Sequence, residues 1–78
     1  MVFQKVAEIL AEILGLDDAD IAPETELTGD SGIKAVDLAK LVIECEQAFN
    51  IVIHDEDVHN FNCVNKLVEY IERAQSDV

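Results

Sequence analysis

The chain has no tryptophan, one proline, three glycines and only four aromatic side chains in 78 residues. Basic residues are scarce as well: five lysines and arginines face 17 aspartates and glutamates, and the formal net charge is −12. Nucleic-acid binding depends on clustered Lys and Arg, and an anionic membrane surface repels such a chain, so we expect neither partner. The charge favours a protein partner with a basic patch.

Long apolar runs are missing too, although half of the residues are hydrophobic. Runs such as Leu41 to Ile43 are far too short to span a bilayer. Because the first residues lack the basic and then continuous apolar stretches of a signal peptide, we expect a cytoplasmic chain in which Cys45 and Cys63 are free thiols. The hydrophobic share excludes simple acidic disorder and fits one small domain over residues 1–78. Its strong like-charge repulsion favours a monomer.

Three stretches show the three- and four-residue period of amphipathic helices. The first runs from Val2 to Leu14, and Gly15 is placed to end it. The second runs from about Ala35 to Phe49. The third begins near Cys63, where Asn62 is a candidate N-cap.

Two connections join these helices. The first, from Leu16 to about Lys34, holds a proline and two glycines, which exclude one continuous helix, while Ile21, Leu27 and Ile33 are able to tie it to the core. The second contains an acidic segment, His54 to Phe61, that favours a short helix. The predicted fold is therefore an all-α, small four-helix bundle with three longer helices, one short third helix and a long first loop.

Several segments, in order and with consistent spacing, resemble the acyl carrier protein family over nearly the whole chain. Those segments are FNIVIHDED from Phe49 to Asp57, FNCV from Phe61 to Val64, LVEYI from Leu67 to Ile71, ILGL from Ile13 to Leu16 and IAPET from Ile21 to Thr25, followed by Leu27. Within these segments two residues depart from the family pattern, since His54 stands for its usual proline and Cys63 for its usual threonine. The resemblance implies the four-helix carrier fold.

The family carries acyl chains as thioesters on 4′-phosphopantetheine, which is joined to a serine at the start of the second helix. Ungapped counting from Phe49 or from Leu27 places Ala35 at that serine and Lys34 at the preceding aspartate. Because a methyl group forms no phosphodiester, the resemblance implies no prosthetic group on this chain at the usual site. Alanine here is either an engineered block or a natural loss. An Asp-Ser pair ending at Ser31 imitates half of the motif, but aligning it would shift both flanks by four residues.

The resemblance also implies a docking surface for partner enzymes, which are synthases and a phosphopantetheinyl transferase with basic patches. The residues carried across to this surface are Asp37, Glu44, Glu46, Asp55, Glu56 and Asp57. Lys34 and Lys40 interrupt it. A cation within an anionic surface disfavours partners whose basic patches match an uninterrupted acidic surface. The alternative is an ordinary solvated helix surface. On the apolar side of the same helix, Leu41, Val42, Cys45 and Phe49 are either tunnel lining or, more simply, core.

Metal and catalytic motifs find little support. The order Cys45, His54, His59, Cys63 lacks the close cysteine pair of common zinc sites. An EF-hand-like start at Asp18 fails because Pro23 occupies the glycine position. We therefore predict no metal site and no enzyme activity. Two hypotheses remain: an acyl-carrier scaffold for fatty acid, polyketide or related synthesis that is unmodifiable at Ala35, and a non-carrying acidic interaction module with the same fold.

Overall fold

The computed structural model describes residues 1–76, which form three α-helices and two short 3₁₀ helices. The α-helices are α1 (Val2–Leu14), α2 (Ala35–Phe49) and α3 (Val64–Ser76), and the 3₁₀ helices are Asp18–Asp20 and Asp55–Asn60. The predicted all-α bundle with three longer helices and a short helix before the last one is confirmed. The 3₁₀ helix Asp18–Asp20 was not predicted; it begins with a capping box formed by Asp17 and Asp20.

Left-handed residues end the first two α-helices. Gly15 has φ 71° and follows α1, as predicted, and the amide of Leu16 donates to the Ala11 carbonyl at 2.8 Å. Asn50 ends α2 with φ 53°, a conformation that asparagine tolerates better than most residues. Each cap turns the chain at the point where its helical period stops.

The long first loop, residues 15–34, is fixed to the core despite its irregular backbone. Leu27 is completely buried, Ile21 is buried and Ile33 is half-buried, so the predicted anchors lie where expected. The loop also pairs with the start of α3. The amide of Leu27 donates to the Asn62 carbonyl, and the amide of Val64 donates to the Thr25 carbonyl, both at 2.9 Å.

The start of α3 corrects one expectation. The helix begins at Val64, and Asn62 does not cap it. Instead, the first amides of the helix find carbonyl partners in the long loop, since Asn65 donates to Pro23 at 2.9 Å. The Asn62 side chain accepts a hydrogen bond from the Thr28 hydroxyl at 3.3 Å. Backbone carbonyls from a distant segment therefore replace the predicted side-chain cap.

The core lies where α1 packs against both α2 and α3. The side chains with no exposed surface are Val6, Leu10, Leu27, Leu41, Cys45, Val64, Leu67 and Ile71. They come from all three α-helices and from the long loop, so buried packing joins these four parts of the chain. Phe61, which is 2% exposed, and Tyr70 add an edge-to-face aromatic pair with ring centroids 5.2 Å apart.

Candidate functional site

Ala35 is the first residue of α2 and its side chain is exposed. Lys34 precedes it in an extended conformation, with φ −64° and ψ 148°, and makes no side-chain capping bond. The chain thus changes from extended to helical backbone at this residue, which leaves its β-carbon at the surface. A side chain at position 35 is accessible to a large partner without local unfolding.

The backbone around Ala35 offers hydrogen-bond donors. The first amide of α2 with a partner is that of Leu38, which donates to the Lys34 carbonyl at 2.9 Å. Within residues 1–76, the amides of Ala35, Val36 and Asp37 have no acceptor. Free amides at a helix N-terminus stabilise a phosphate group. The backbone here fits a phosphodiester, whereas the methyl group of Ala35 supplies no atom to form one.

A mostly apolar groove opens beside Ala35, between α2 and the 3₁₀ helix Asp55–Asn60. Its volume is about 580 Å³. The lining residues are Thr28, Ala35, Leu38, Ala39, Val42, Ile43, Glu46, Ile53, Asp55, Val58 and His59. Ala35 and Ala39 contribute small side chains to its α2 side, and the lining extends to the first residue of that helix.

The groove separates two interpretations of the apolar stripe on α2. Of the four candidates, Val42 lines the groove and is 8% exposed. Leu41 and Cys45 are fully buried in the core, and the half-buried Phe49 packs against it. Val42 also belongs to the buried core, so the simpler core interpretation holds for all four residues and Val42 lines the groove in addition.

The predicted docking residues on α2 face different surroundings. Glu44 is exposed and Asp37 is half-exposed, and they lie two turns apart on one side of the helix. Glu46 lines the groove instead, and its carboxylate accepts a hydrogen bond from the Ile53 amide at 2.8 Å. This bond holds the segment after α2 against the helix, a structural role that the sequence did not indicate.

The acidic residues of the 3₁₀ helix Asp55–Asn60 also divide. Asp55 and Glu56 are exposed. Asp57 accepts a hydrogen bond from the Tyr70 hydroxyl at 2.9 Å, which ties this helix to α3. Desolvation and then this hydrogen bond raise the pKa of Tyr70 above its ordinary value. The docking role of the six acidic residues stays a prediction.

Two exposed aliphatic side chains on α2 lie outside the stripe that the periodicity identified as core. Val36 is 58% exposed and Ile43 is 53% exposed. Spaced by seven residues, they lie on one side of the helix, and Lys40 lies between them. Their exposure was predictable from the sequence, because both apolar residues lie outside the core stripe.

The two cysteines differ in burial and are not joined by a disulfide. Cys45 is buried, and desolvation together with Glu44 raises the pKa of its thiol to about 12. Cys63 is half-buried, and both cysteines are free thiols. Across the part of the chain that the structure describes, no three His, Cys, Asp or Glu side chains converge in a way that would hold a metal ion. None of the helices in the described residues combines the length and apolar character of a membrane span.

Comparison with known proteins shows which family this chain is similar to. Residues 4–71 match the family model described as a phosphopantetheine attachment site. The chain is 37% identical over 73 residues to an acyl carrier protein of Phytoplasma mali, covering 94% of this chain and 87% of that one. It is 33% identical over 75 residues to an acyl carrier protein of Rubrobacter xylanophilus, covering 96% and 93% of the two chains. An acyl carrier protein of Thermotoga maritima is 35% identical over 72 residues, covering 92% and 89%.

The chain belongs to the acyl carrier protein family. The resemblance inferred from the segment spacing is therefore confirmed for the chain as a whole. The family match covers residues 4–71, which include Ala35. Its equivalence to the attachment serine of the acyl carrier protein family is still a prediction from ungapped spacing.

Proposed function

We propose that this chain is an acyl-carrier scaffold whose attachment position is residue 35. With a serine there, it would carry acyl groups as thioesters on 4′-phosphopantetheine between enzymes of fatty acid, polyketide or related synthesis. With Ala35, it presents the same surface to those enzymes without being loaded. It performs no reaction itself, and we place it in the cytoplasm as a monomer.

One observation supports this proposal most directly. Residue 35 is exposed, follows an extended residue, and lies where three helix amides are free and an apolar groove begins. A phosphate needs the exposed position, because a transferase must reach it, and the free amides, because they stabilise its charge. An apolar chain needs the groove, since the groove removes its surface from water.

The docking surface forms the second part of the proposal. Asp37, Glu44, Asp55 and Glu56 would meet basic patches of synthase enzymes and of a phosphopantetheinyl transferase. These carboxylates make no ion pair within residues 1–76, so their charge is available to a partner. Glu46 and Asp57 contribute negative charge while also holding the groove in shape.

Restoring the hydroxyl tests the carrier function. We expect Ala35→Ser to gain the mass of one phosphopantetheine when it is incubated with coenzyme A and a promiscuous phosphopantetheinyl transferase. The chain with Ala35 should gain nothing, and the double variant Ala35→Ser, Ser31→Ala should be modified as readily as the single one. Intact-mass spectrometry reads all three proteins in parallel.

Two other outcomes would contradict the proposal. If Ala35→Ser stays unmodified while a known carrier is modified in the same tube, the chain is better described as a non-carrying interaction module. That alternative rests on Lys34, a second departure from the family motif beside Ala35. If the chain with Ala35 gains mass and Ser31→Ala abolishes the gain, the attachment position is Ser31.

A further inference from the structure

The exposed surface of α2 has an unusual composition at its centre. Lys40 lies four residues after Val36 and three before Ile43, so the three side chains are neighbours along one ridge. Both aliphatic residues are more than half exposed, and Lys40 is exposed as well. We call Val36, Lys40 and Ile43 the α2 ridge. Asp37 and Glu44 flank it on one side, and on the other side lies the groove, which Ile43 also lines.

Lys40 has no ion pair within the helix. Asp37 is three residues before it and Glu44 four residues after it, which are the spacings at which such pairs form. The ion pair present within residues 1–76 is instead Lys66 with Glu69 on α3, at 4.0 Å. A lysine that precedes its glutamate by four residues is the weaker order for a pair. The Lys40 charge is therefore available to a partner.

The flanking aliphatic side chains decide what that partner must offer. A protein that covers the α2 ridge gains free energy by burying Val36 and Ile43. The same contact removes water from Lys40, which lies between them. A desolvated charge is costly unless it is paired. A lysine that stays in water needs no partner. Lys40 needs one, because burial of the two aliphatic side chains beside it would remove its water.

We propose that Lys40 is the specificity-determining residue of this docking surface and selects a partner protein that places a carboxylate, flanked by basic side chains, against it. The carboxylate pairs with Lys40 and the basic side chains pair with Asp37 and Glu44. An enzyme with an uninterrupted basic patch is repelled by Lys40. Two like charges brought together in an interface lie closer than the screening length of salt solutions, so salt does not remove this repulsion completely. The inference deepens the proposed function and rests on its docking surface.

A second copy of this chain is the competing occupant, because it also offers carboxylates. Each copy carries a formal net charge of −12, so association of two copies brings large like charges together. In a basic protein with one acidic residue inside its basic patch, the basic side chains neutralise the surrounding carboxylates and the acidic residue pairs with Lys40. Charge complementarity favours this occupant.

Equilibrium binding tests the inference. The probe is a phosphopantetheinyl transferase with an uninterrupted basic surface, and Ala35 allows binding to be measured without attachment at this position. We expect Lys40→Glu to bind this transferase about tenfold more tightly than the unaltered chain at low salt, with the difference shrinking as salt is added. Lys66→Glu is the matched control, because it changes the same charge on α3, and it should stay within about twofold.

The second half of the test installs the carboxylate in the probe. A set of transferase variants, each with one arginine or lysine of the basic surface changed to glutamate, is titrated with the chain and with Lys40→Glu. In at least one variant the preference should reverse, so that the chain with Lys40 binds more tightly. A Lys40→Glu chain that binds the unaltered transferase no more tightly, a Lys66→Glu chain that gains as much, or the absence of any reversal would overturn the inference.

This readout is independent of loading. Failure of Ala35→Ser to gain mass counts against the carrier function, whereas the Lys40 preference is a difference between two affinities for the same protein. Sedimentation of the chain at the same salt concentrations completes the comparison. A dimer that Lys40→Glu dissociates would identify a second copy as the occupant and would overturn the choice of partner.

Discussion

The loop of residues 15–34 and the 3₁₀ helix Asp55–Asn60 precede and follow α2, and they are held in contrasting ways. The loop has little regular structure, yet Leu27 is completely buried and its backbone pairs with the start of α3. The 3₁₀ helix is regular but contains no buried residue. Its segment is held by the buried residues on either side, Ile53 and Phe61, and by two hydrogen bonds, from the Ile53 amide to Glu46 and from the Tyr70 hydroxyl to Asp57. Regular backbone geometry is thus a poor guide to how firmly a segment is anchored.

This contrast gives the groove one firm side and one weakly held side. The α2 side belongs to a helix whose opposite surface is core. The wall that Asp55 and Val58 contribute belongs to a helix without a buried residue, although the half-buried Val58 packs against the core. Segments with little buried apolar surface open at lower free energy than the core. We expect the groove to widen by movement of this wall, with α2 fixed.

The largest expected effect is in the loop. Leu27→Ala removes a fully buried side chain and should lower the free energy of unfolding by about 2–5 kcal/mol, because it leaves a cavity and weakens the loop anchor. Leu16→Ala, in the same loop but 51% exposed, should cost less than about 1 kcal/mol. Chemical denaturation followed by circular dichroism measures both. Equal losses for the two variants would mean that the loop is not anchored through Leu27.

An alkaline titration examines how firmly α2 is packed against the core. Since burial raises the pKa of Cys45 from 9.0 to about 12, the folded protein keeps this thiol protonated while the unfolded chain ionises. This contribution is fully present below pH 9.0 and is lost as the pH rises towards about 12, at roughly 1.4 kcal/mol per pH unit. Cys45→Ala should flatten that slope. Unfolding free energies measured across this window that fall equally in both proteins would contradict the burial of Cys45.

The smallest expected effect is in the wall. Tyr70→Phe keeps the ring beside Phe61 but removes the donor to Asp57, and should cost about 0.5–1.5 kcal/mol. Hydrogen exchange should accelerate mainly at the amides of the 3₁₀ helix Asp55–Asn60. Asp57→Asn retains an acceptor oxygen and should change exchange less than Tyr70→Phe does. Faster exchange spread evenly through α1 and α2 would show that the wall is not a separate unit.

Much of the fold follows from local patterns. The period of apolar residues determines the three α-helices, and the left-handed residue Gly15 marks the end of the first. The buried anchors Ile21 and Leu27 were also predicted, because large aliphatic side chains are among those most often buried. These features depend on residues close together in the chain, which is why sequence reasoning reaches them.

The features that were missed depend on where distant segments meet. Asn62 looked like a helix cap because its type and position are right, but the Thr25 and Pro23 carbonyls already occupy the amides that a cap would serve. Glu46 resembled another docking carboxylate in the sequence. In the structure, the chain after α2 folds back and the Ile53 amide donates a hydrogen bond to it. In both cases a backbone group from another segment decided the role of the side chain.

The loop glycine Gly32 has a consequence for any group attached at residue 35. A β-carbon at this position would lie 2.6 Å from the Leu27 carbonyl carbon and from the Thr28 nitrogen, so the two stretches of backbone are in direct contact. The Ile33 amide donates to the Leu27 carbonyl at 3.3 Å immediately afterwards. Residue 35 therefore lies two residues after a stretch of backbone held by close contact and a hydrogen bond. The attachment point of an arm at residue 35 would be fixed, so the reach of the arm would depend on its own length and not on movement of the protein backbone.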